Sequence, residues 1–313
     1  MKSDLLSIKL PKSKDDEIVW AQLYGSSFGL ALAQAAAQYQ GLIVAITPDT
    51  PALTRLRQEM SFYTGDTIPI YEFPDWETLP YDLFSPHDDI VSTRLETLFQ
   101  LSQLKTGILI VSLPNALQRL APAEYLNQNC LSLSVGQSIG DLESFRLTLE
   151  QSGYHYASEV MEHGEFSVRG SIIDLYPAGV SAPYRIDLFG NDIDSIRIFD
   201  PKTQRATSKT TQIKIIPARE FPLTESAIAL FRSQYRKKFA GNPSEHGIYS
   251  DISKGIVPNG IEYYLPLFFS STTTLFNYLP ASTIIVNFDE YESSADQFLT
   301  NVYQRYEQRR HDT

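Results

Sequence analysis

Leu23 to Ile46 reads LYGSSFGLALAQAAAQYQGLIVAI: a glycine-bearing turn, an Ala-rich stretch and, after Gly41, an unbroken aliphatic run. Small helix formers leading into a continuous apolar run predict a helix over 28–40 and a strand over 42–46 that is buried on both faces. The unit recurs outward along the chain. Pro51 to Tyr63 has helical periodicity, Ile68 to Phe73 reads as a strand, Asp89 to Leu104 as a helix, and Gly107 to Ser112 (GILIVS) as a second buried strand. Continuous apolar strands alternating with helices predict a parallel sheet covered on both faces. The linking segment PDWETLPYDLFSPHDD is aromatic and Pro-rich, and is read as a loop packed on the sheet.

A nucleotide-binding α/β domain would carry its phosphate loop where the glycine turn stands. Such a loop reads G-x-x-x-x-G-K-[ST], because backbone amides cradle the phosphates, the Lys reaches the β/γ oxygens and the hydroxyl holds magnesium. Here Leu30 and Ala31 follow Gly29, with Gly25 four positions before it, and neither side chain can neutralise phosphate. Taken alone, Gly25 and Gly29 read as a turn and a helix start.

The 313 residues allow two or three domains, and 42% hydrophobic with 20% charged residues is an ordinary globular composition. No apolar window approaches a membrane helix, and the start MKSDLLSIKLPKSKDD is too polar for a signal peptide, so the expectation is a cytoplasmic chain. One cysteine, Cys130, excludes an internal disulfide framework and has no zinc-site spacing; His87, His155, His163, His246 and His311 are scattered. No metal site and no catalytic group is assigned, since no nucleophile, base and orienting group stand in a supporting context. A net charge of −11 argues against an autonomous nucleic-acid grip. The most basic stretches, Arg232 to Lys238 and the tail QRYEQRRH, sit in helical patterns and read as solvated faces.

From about Ser132 the pattern changes. After a helical stretch near Gly140 to Ser152, the residues from SEVMEHGEF to FDPKTQRA alternate with period two, cut by Pro-Ala-Gly and Gly-Asn-Asp turns, which predicts an antiparallel sheet with its own core. Beyond Ile213 the chain turns helical, then aromatic (GIEYYLPLFF), then returns to a buried-type strand over Thr283 to Phe288, with a last helix from Glu292. The economical reading is an α/β body, residues 1–126 and 214–313, interrupted by an antiparallel α+β insert over 127–213.

Alternation assigns faces in the insert. Phe166 and Val168 go inward and Ser167 and Arg169 outward; Tyr184, Ile186 and Leu188 go inward, leaving Arg185, Asp187 and Phe189 outward. Two readings stay open. Arg169, Arg185 and Phe189 form one exposed face of the kind that anchors protein interfaces; or Phe189 folds under the Gly190-Asn191-Asp192 turn while the arginines pair with Asp174 or Asp187.

VRGSIIDLYPAG followed by PYRIDLFGNDIDSIRIFDPKTQR resembles the R-G-x-x-x-D-[IL]-[FY]-P … R-[IL]-[DE]-x-F stretch shared by the excision-repair protein UvrB and the bacterial transcription-repair coupling factor family (Mfd). WETLPYDLFSPHDDIVSTRLETLFQL, EFPLTESAIALFRSQYRKKF and GIEYYLPLFF look specifically like the coupling factor, and the similarity runs over essentially the whole chain. The resemblance implies a helicase-like parallel-sheet body with a degenerate phosphate loop at Gly25, Gly29 and Leu30, and no cofactor for this segment. ATP and magnesium would belong to the family's motor domains, which are not visible here. Ile284 to Glu290 looks like the strand and acidic pair that would hold magnesium in an intact motor, but the acids come late. The alternative is a UvrB-like nucleotide- or DNA-binding domain with a residual ATP site.

The resemblance also implies a partner. In the family the insert recruits UvrA, the damage-recognition ATPase, to RNA polymerase stalled at a lesion, through two arginines and a phenylalanine that fall by motif position on Arg169, Arg185 and Phe189. It further implies an intramolecular C-terminal domain that masks this patch, and contacts with RNA polymerase and DNA through domains absent here. The end at QRRHDT carries no stop-like feature and is read as a boundary within a longer protein.

Overall fold

The computed structural model describes residues 8–65, 67–101, 103–239, 247–289 and 291–311. The chain divides into two compact units: Met1–Asp75, Gln100–Gln118 and Leu275–Asn301 form the first, and Trp76–Phe99, Arg119–Thr274 and Val302–Thr313 the second.

In the first unit, α1 (Ser27–Gln38), β1 (Leu42–Thr47), α2 (Thr50–Thr64) and β2 (Ile70–Phe73) come first in the chain. β3 (Gly107–Ser112) and the short α4 (Leu113–Ala116) follow α3 (Asp88–Leu101), most of which belongs to the second unit. Asp49 caps α2 by accepting from the Ala52 amide at 2.8 Å, and Pro51, which has no amide hydrogen to satisfy, stands in the first turn. Ile43, Ala45, Ile108 and Ile110 pack against Leu32 and Ala35 of α1 and Leu53, Leu56 and Met60 of α2. The alternate row, Leu42, Val44, Leu109 and Val111, is equally buried, so the sheet is covered on both faces as its unbroken apolar strands predict.

β1 and β3 pair in parallel register from Leu42↔Gly107 to Thr47↔Ser112, and β2 adds to β3, also in parallel. The fourth strand, β12 (Ile284–Val286), reaches β1 in parallel from the far end of the chain, giving the order β12-β1-β3-β2. It is shorter and less buried than the run Thr283 to Phe288 suggests: Ile285 is half exposed. As an edge strand it pairs on one side only.

In the second unit, α5 (Ala123–Gln128), β4 (Leu131–Ser134) and α6 (Leu142–Gln151) lead into β5 (His155–Tyr156), β6 (Glu165–Arg169) and β7 (Ile172–Leu175). β8 (Tyr184–Phe189), β9 (Asp192–Phe199), β10 (Ala206–Thr210) and β11 (Gln212–Ile215) follow. Six strands form one sheet in the order β10-β9-β8-β7-β6-β5, antiparallel from β6 to β10. Its inner face, with Phe166, Ile173, Ile186, Leu188, Ile193 and Ile196, packs on Phe145 and Leu149 of α6. β4 and β11 pair antiparallel from Leu131↔Ile215 to Ser134↔Gln212, joining the segments before and after the six-stranded sheet.

The same unit holds α7 (Glu225–Lys238), α8 (Gly247–Ser253) and a 3-10 helix, Ile261–Phe268. A second 3-10 turn, Leu275–Tyr278, precedes β12 in the first unit, and the final helix α9 (Tyr291–His311) is shared between the units. The aromatic segment after Phe73 is packed in part. Trp76 is buried edge-on against Tyr263, and Tyr81 contacts Tyr263, Tyr264 and Tyr306, while Leu79, Leu83 and Phe84 remain exposed.

Trp76 belongs to a buried polar knot. Glu220 Oε1 accepts from Arg94 Nε at 2.6 Å and from Trp76 Nε1 at 3.0 Å, and the Arg94 guanidinium lies 4.8 Å from the centre of the Trp76 ring. Arg94 is completely buried. Nearby, burial pushes the Glu262 carboxyl up to about 7, with the adjacent Glu220 charge adding to the shift, while Ser85 donates to it at 3.0 Å.

Candidate functional site

The glycine turn of the first unit comes first. Gly25 has φ +59, and the Ser27 amide donates to Tyr24 O at 3.1 Å, so the chain turns there and α1 begins at Ser27. Gly29 and Leu30 therefore lie inside the first turns of the helix. A Cβ on Gly29 would stand 2.8 Å from Glu59 Oε2 and 3.0 Å from Glu59 Cβ; the glycine lets α2 pass close to α1. The Tyr63 hydroxyl donates to Ser26 Oγ at 2.9 Å. An acid and a phenol thus stand against the first turn of α1, where a phosphate loop would present a lysine and open amides. Of the late acidic pair, Asp289 follows β12 and Glu290 lies outside the described residues.

His87 and His163 both stand at Asp89, His87 at 3.7 Å. His163 bridges Asp89 Oδ1 at 2.6 Å and Val180 O at 2.7 Å, His155 stands 3.7 Å from Glu165, and His246 lies outside the described residues. Among the described residues no three His, Cys, Asp or Glu side chains are grouped to hold a metal ion. Burial raises the Cys130 thiol pKa, which favours the unreactive protonated form. Of the basic stretches, Arg232 donates to the Tyr249 hydroxyl and Arg236 lies over the Tyr249 ring. Among the described residues, no helix is long and apolar enough to cross a membrane.

The outer face of the insert sheet brings charged residues together by register. Ser167, Asp174, Arg185 and Arg197 stand opposite one another across β6, β7, β8 and β9; Arg169, Ile172, Asp187 and Ser195 form the next row. β6 and β8 both run antiparallel to β7, so Arg169 and Phe189, the last residues of their strands, lie at the same end of the sheet. Two strand spacings, about 10 Å, separate β6 from β8. The register skips Asp194, a one-residue bulge in β9, which leaves the alternation of β8 intact. Leu188 therefore faces the core and Phe189, before the tight Gly190-Asn191 turn, is 83% exposed.

The two open readings of this face are thus each partly realised. Phe189 does not fold under the turn. Both arginines, however, are paired, and with the same acid. Asp174, 1% exposed, accepts from Arg185 Nε at 2.6 Å on one oxygen and from Arg185 Nη2 at 2.8 Å on the other, and Arg169 Nη2 donates to that second oxygen as well. Arg185 is held further: Nη1 donates to Gln204 O at 3.1 Å, and the guanidinium lies 4.8 Å from the centre of the Phe199 ring. The hydrogen bonds to Asp174 push the Arg185 pKa up. Half of the Arg169 side chain remains exposed against 17% for Arg185.

Asp187 serves a different arginine, accepting from Arg197 Nη2 at 2.6 Å and from Ser195 Oγ at 2.7 Å on one oxygen. Arg197 and Gln204 were not singled out by the strand reading, although IDSIRIF alternates and would have put Arg197 beside Arg185. Gln204 has no such signal: it sits after the β9 strand at φ +57, and its amide is pinned to Val160 O and Pro201 O. Ser167, read as outward, is on the outer row but covered; its hydroxyl donates to Ser158 O at 3.5 Å, and the 157–160 segment caps that corner.

Three arginines against two aspartates on two adjacent rows, flanked by an exposed phenylalanine, make a face suited to an acidic, partly apolar protein surface.

A family model described as the UvrB interaction domain matches residues 131–221, the span of the insert sheet and the Glu220 knot. The chain is 40% identical over 314 aligned residues, its full length, to the transcription-repair-coupling factor of Haemophilus influenzae, of which the match covers 27%. It is 40% identical over 301 residues to that of Escherichia coli, covering 96% of this chain and 26% of the relative. With the Rickettsia conorii factor it shares 33% over 243 residues, 77% of this chain and 21% of the relative. The chain therefore spans about a quarter of the length of these curated relatives. Carrying a UvrB interaction domain and matched from end to end by their N-terminal part, it belongs to the transcription-repair coupling factor family.

Proposed function

We propose that this chain is a non-catalytic adaptor that recruits UvrA to stalled RNA polymerase in transcription-coupled excision repair. The observation that carries the reading is the outer face of the insert: Phe189 in solvent at the sheet end it shares with Arg169, with Arg185 on the same face. The arginines meet acidic groups of UvrA through directed hydrogen bonds, and Phe189 fills an apolar depression. In this reading 127–213 is the recruiting domain, flanked by the 1–126 and 214–313 parts of a UvrB-like body. The C-terminal region of a full-length relative masks the face at rest, and RNA polymerase and DNA are engaged by other domains.

The nucleotide-free part of the proposal is supported by Glu59 and Tyr63 against the first turn of α1, where ATP would need cationic and amide donors. Titrating a fluorescent ATP analogue tests it: saturation in the micromolar range would revive the UvrB-like nucleotide site. The recruitment test is a binding titration against purified UvrA with Phe189→Ala and Arg185→Ala beside the parent, and circular dichroism as fold control. The parent binds and both folded variants lose affinity. Unchanged affinity in either one removes that residue from the interface; unchanged affinity in both removes the face.

A further inference from the structure

We propose that Asp174 is the positioning residue of the UvrA-binding face: buried beneath it, one carboxylate orients both arginines before the partner arrives. The inference rests on the recruitment reading above and deepens it. Asp174 stands in IIDL of β7, an apolar strand in which a carboxylate has no solvation to rely on, and it is 1% exposed. Its two oxygens carry three arginine N–H bonds, two from Arg185 as a fork and one from Arg169. The other acid of the face, Asp187, accepts its hydrogen bonds from Arg197 and Ser195 and acts on Arg185 through its charge alone.

The donor count divides the labour. A guanidinium has five N–H groups. In Arg185 both groups facing Asp174 are spent on it, a third goes to Gln204 O, and the Phe199 ring lies under the plane. Arg169 makes one bond to Asp174 and keeps half its side chain in solvent, so it has donors to offer a partner carboxylate. Two long side chains that would otherwise lose rotamer freedom on binding are already ordered, which lowers the cost of association. One negative charge inserted between two positive ones also lets them sit on one face without repelling.

The test is a titration of the 313-residue chain against purified UvrA, comparing the parent with Asp174→Asn, Arg185→Lys, Arg169→Lys and Phe189→Ala, each checked by circular dichroism. Asp174→Asn keeps the shape and removes the charge that holds the fork; it weakens UvrA binding by about tenfold or more. Arg185→Lys, which retains charge but cannot make the fork, weakens binding as Asp174→Asn does. Arg169→Lys, exchanging one point contact for another, stays within about threefold of the parent. A second measurement needs no variant: the Arg185 Nε–H proton of the free parent is protected from solvent exchange, whereas that of a purely solvated arginine is not.

If Phe189→Ala weakens binding while folded Asp174→Asn stays within twofold of the parent, the positioning role falls and the recruitment reading stands. If Asp174→Asn lowers only the unfolding temperature, with affinity per folded molecule unchanged, its role is structural and the inference is likewise overturned. If Asp174→Asn does not fold, rapid exchange of Arg185 Nε–H in the parent overturns the proposal, and protection joined to the Arg185→Lys loss upholds it. If Phe189→Ala binds as the parent does, the face itself is misassigned and the inference falls with it.

Discussion

Phe189 is 83% exposed, so its removal leaves the folded state nearly untouched: Phe189→Ala shifts the urea unfolding free energy by about 0.5 kcal/mol or less while UvrA affinity is lost. Arg94 gives the opposite expectation. It is completely buried beside Glu220, and Arg94→Met strands that carboxylate, costing about 3 kcal/mol or more in the same assay without any direct effect on the outer face of the insert. Glu262 makes stability depend on pH. Its ordinary value is 4.5, and burial raises it to about 7 in the folded chain. Between those two values the unfolded chain has released the proton and the folded chain still binds it, so stability falls as pH rises through this window and is flat above it. Glu262→Gln removes the slope; relative to the parent it gains on the order of 2 kcal/mol at pH 8 and little at pH 4.5, read from urea midpoints at both pH values.

At the scale of elements, α1 and α2 test the assignment of the glycine turn. Gly29→Ala pushes a methyl group into Glu59 and destabilises the chain by about 1 kcal/mol, and Glu59→Ala in the same chain, which removes the carboxylate but keeps Cβ, recovers part of it. If Gly29 served a ligand and not the helix crossing, the second substitution would restore nothing. The elements themselves were legible because each follows from local pattern. GILIVS and LIVAI are too evenly apolar to expose a face, and Phe166 to Arg169 and Tyr184 to Phe189 alternate cleanly. β4 and β11 were not legible as a pair: LSLS and QIKI are short, some 80 residues apart, and only their meeting makes a ribbon. The aromatic segment PDWETLPYDLF reads as a loop packed on the sheet; in the structure Trp76 and Tyr81 meet Tyr263 and Tyr264, and the exposure of Leu79, Leu83 and Phe84 depends on which side of the loop does so, which composition does not encode.

For the whole molecule, net charge −11 sets an expectation for nucleic acid. The basic residues of α7 are engaged with Tyr249 at Arg232 and Arg236. Fluorescence anisotropy with duplex DNA at about 150 mM salt shows no binding tighter than the non-specific range of roughly 10–100 μM, and a steep salt dependence of a tighter complex would contradict this.

The sequence by itself determined the parallel α/β sheet, the antiparallel sheet, the family and the side of β8 on which Arg185 and Phe189 stand, because periodicity and motif spacing are carried by neighbouring residues along the covalent chain. Tertiary structure alone decided that β12 closes the sheet onto β1, that Glu59 stands against the start of α1, that Asp187 goes to Arg197, and that a single buried carboxylate, Asp174, takes both Arg169 and Arg185. Those outcomes depend on register between strands and on competition among several acids and bases of similar chemistry. Such a competition is settled by distance and desolvation in the folded chain, quantities that no local pattern contains.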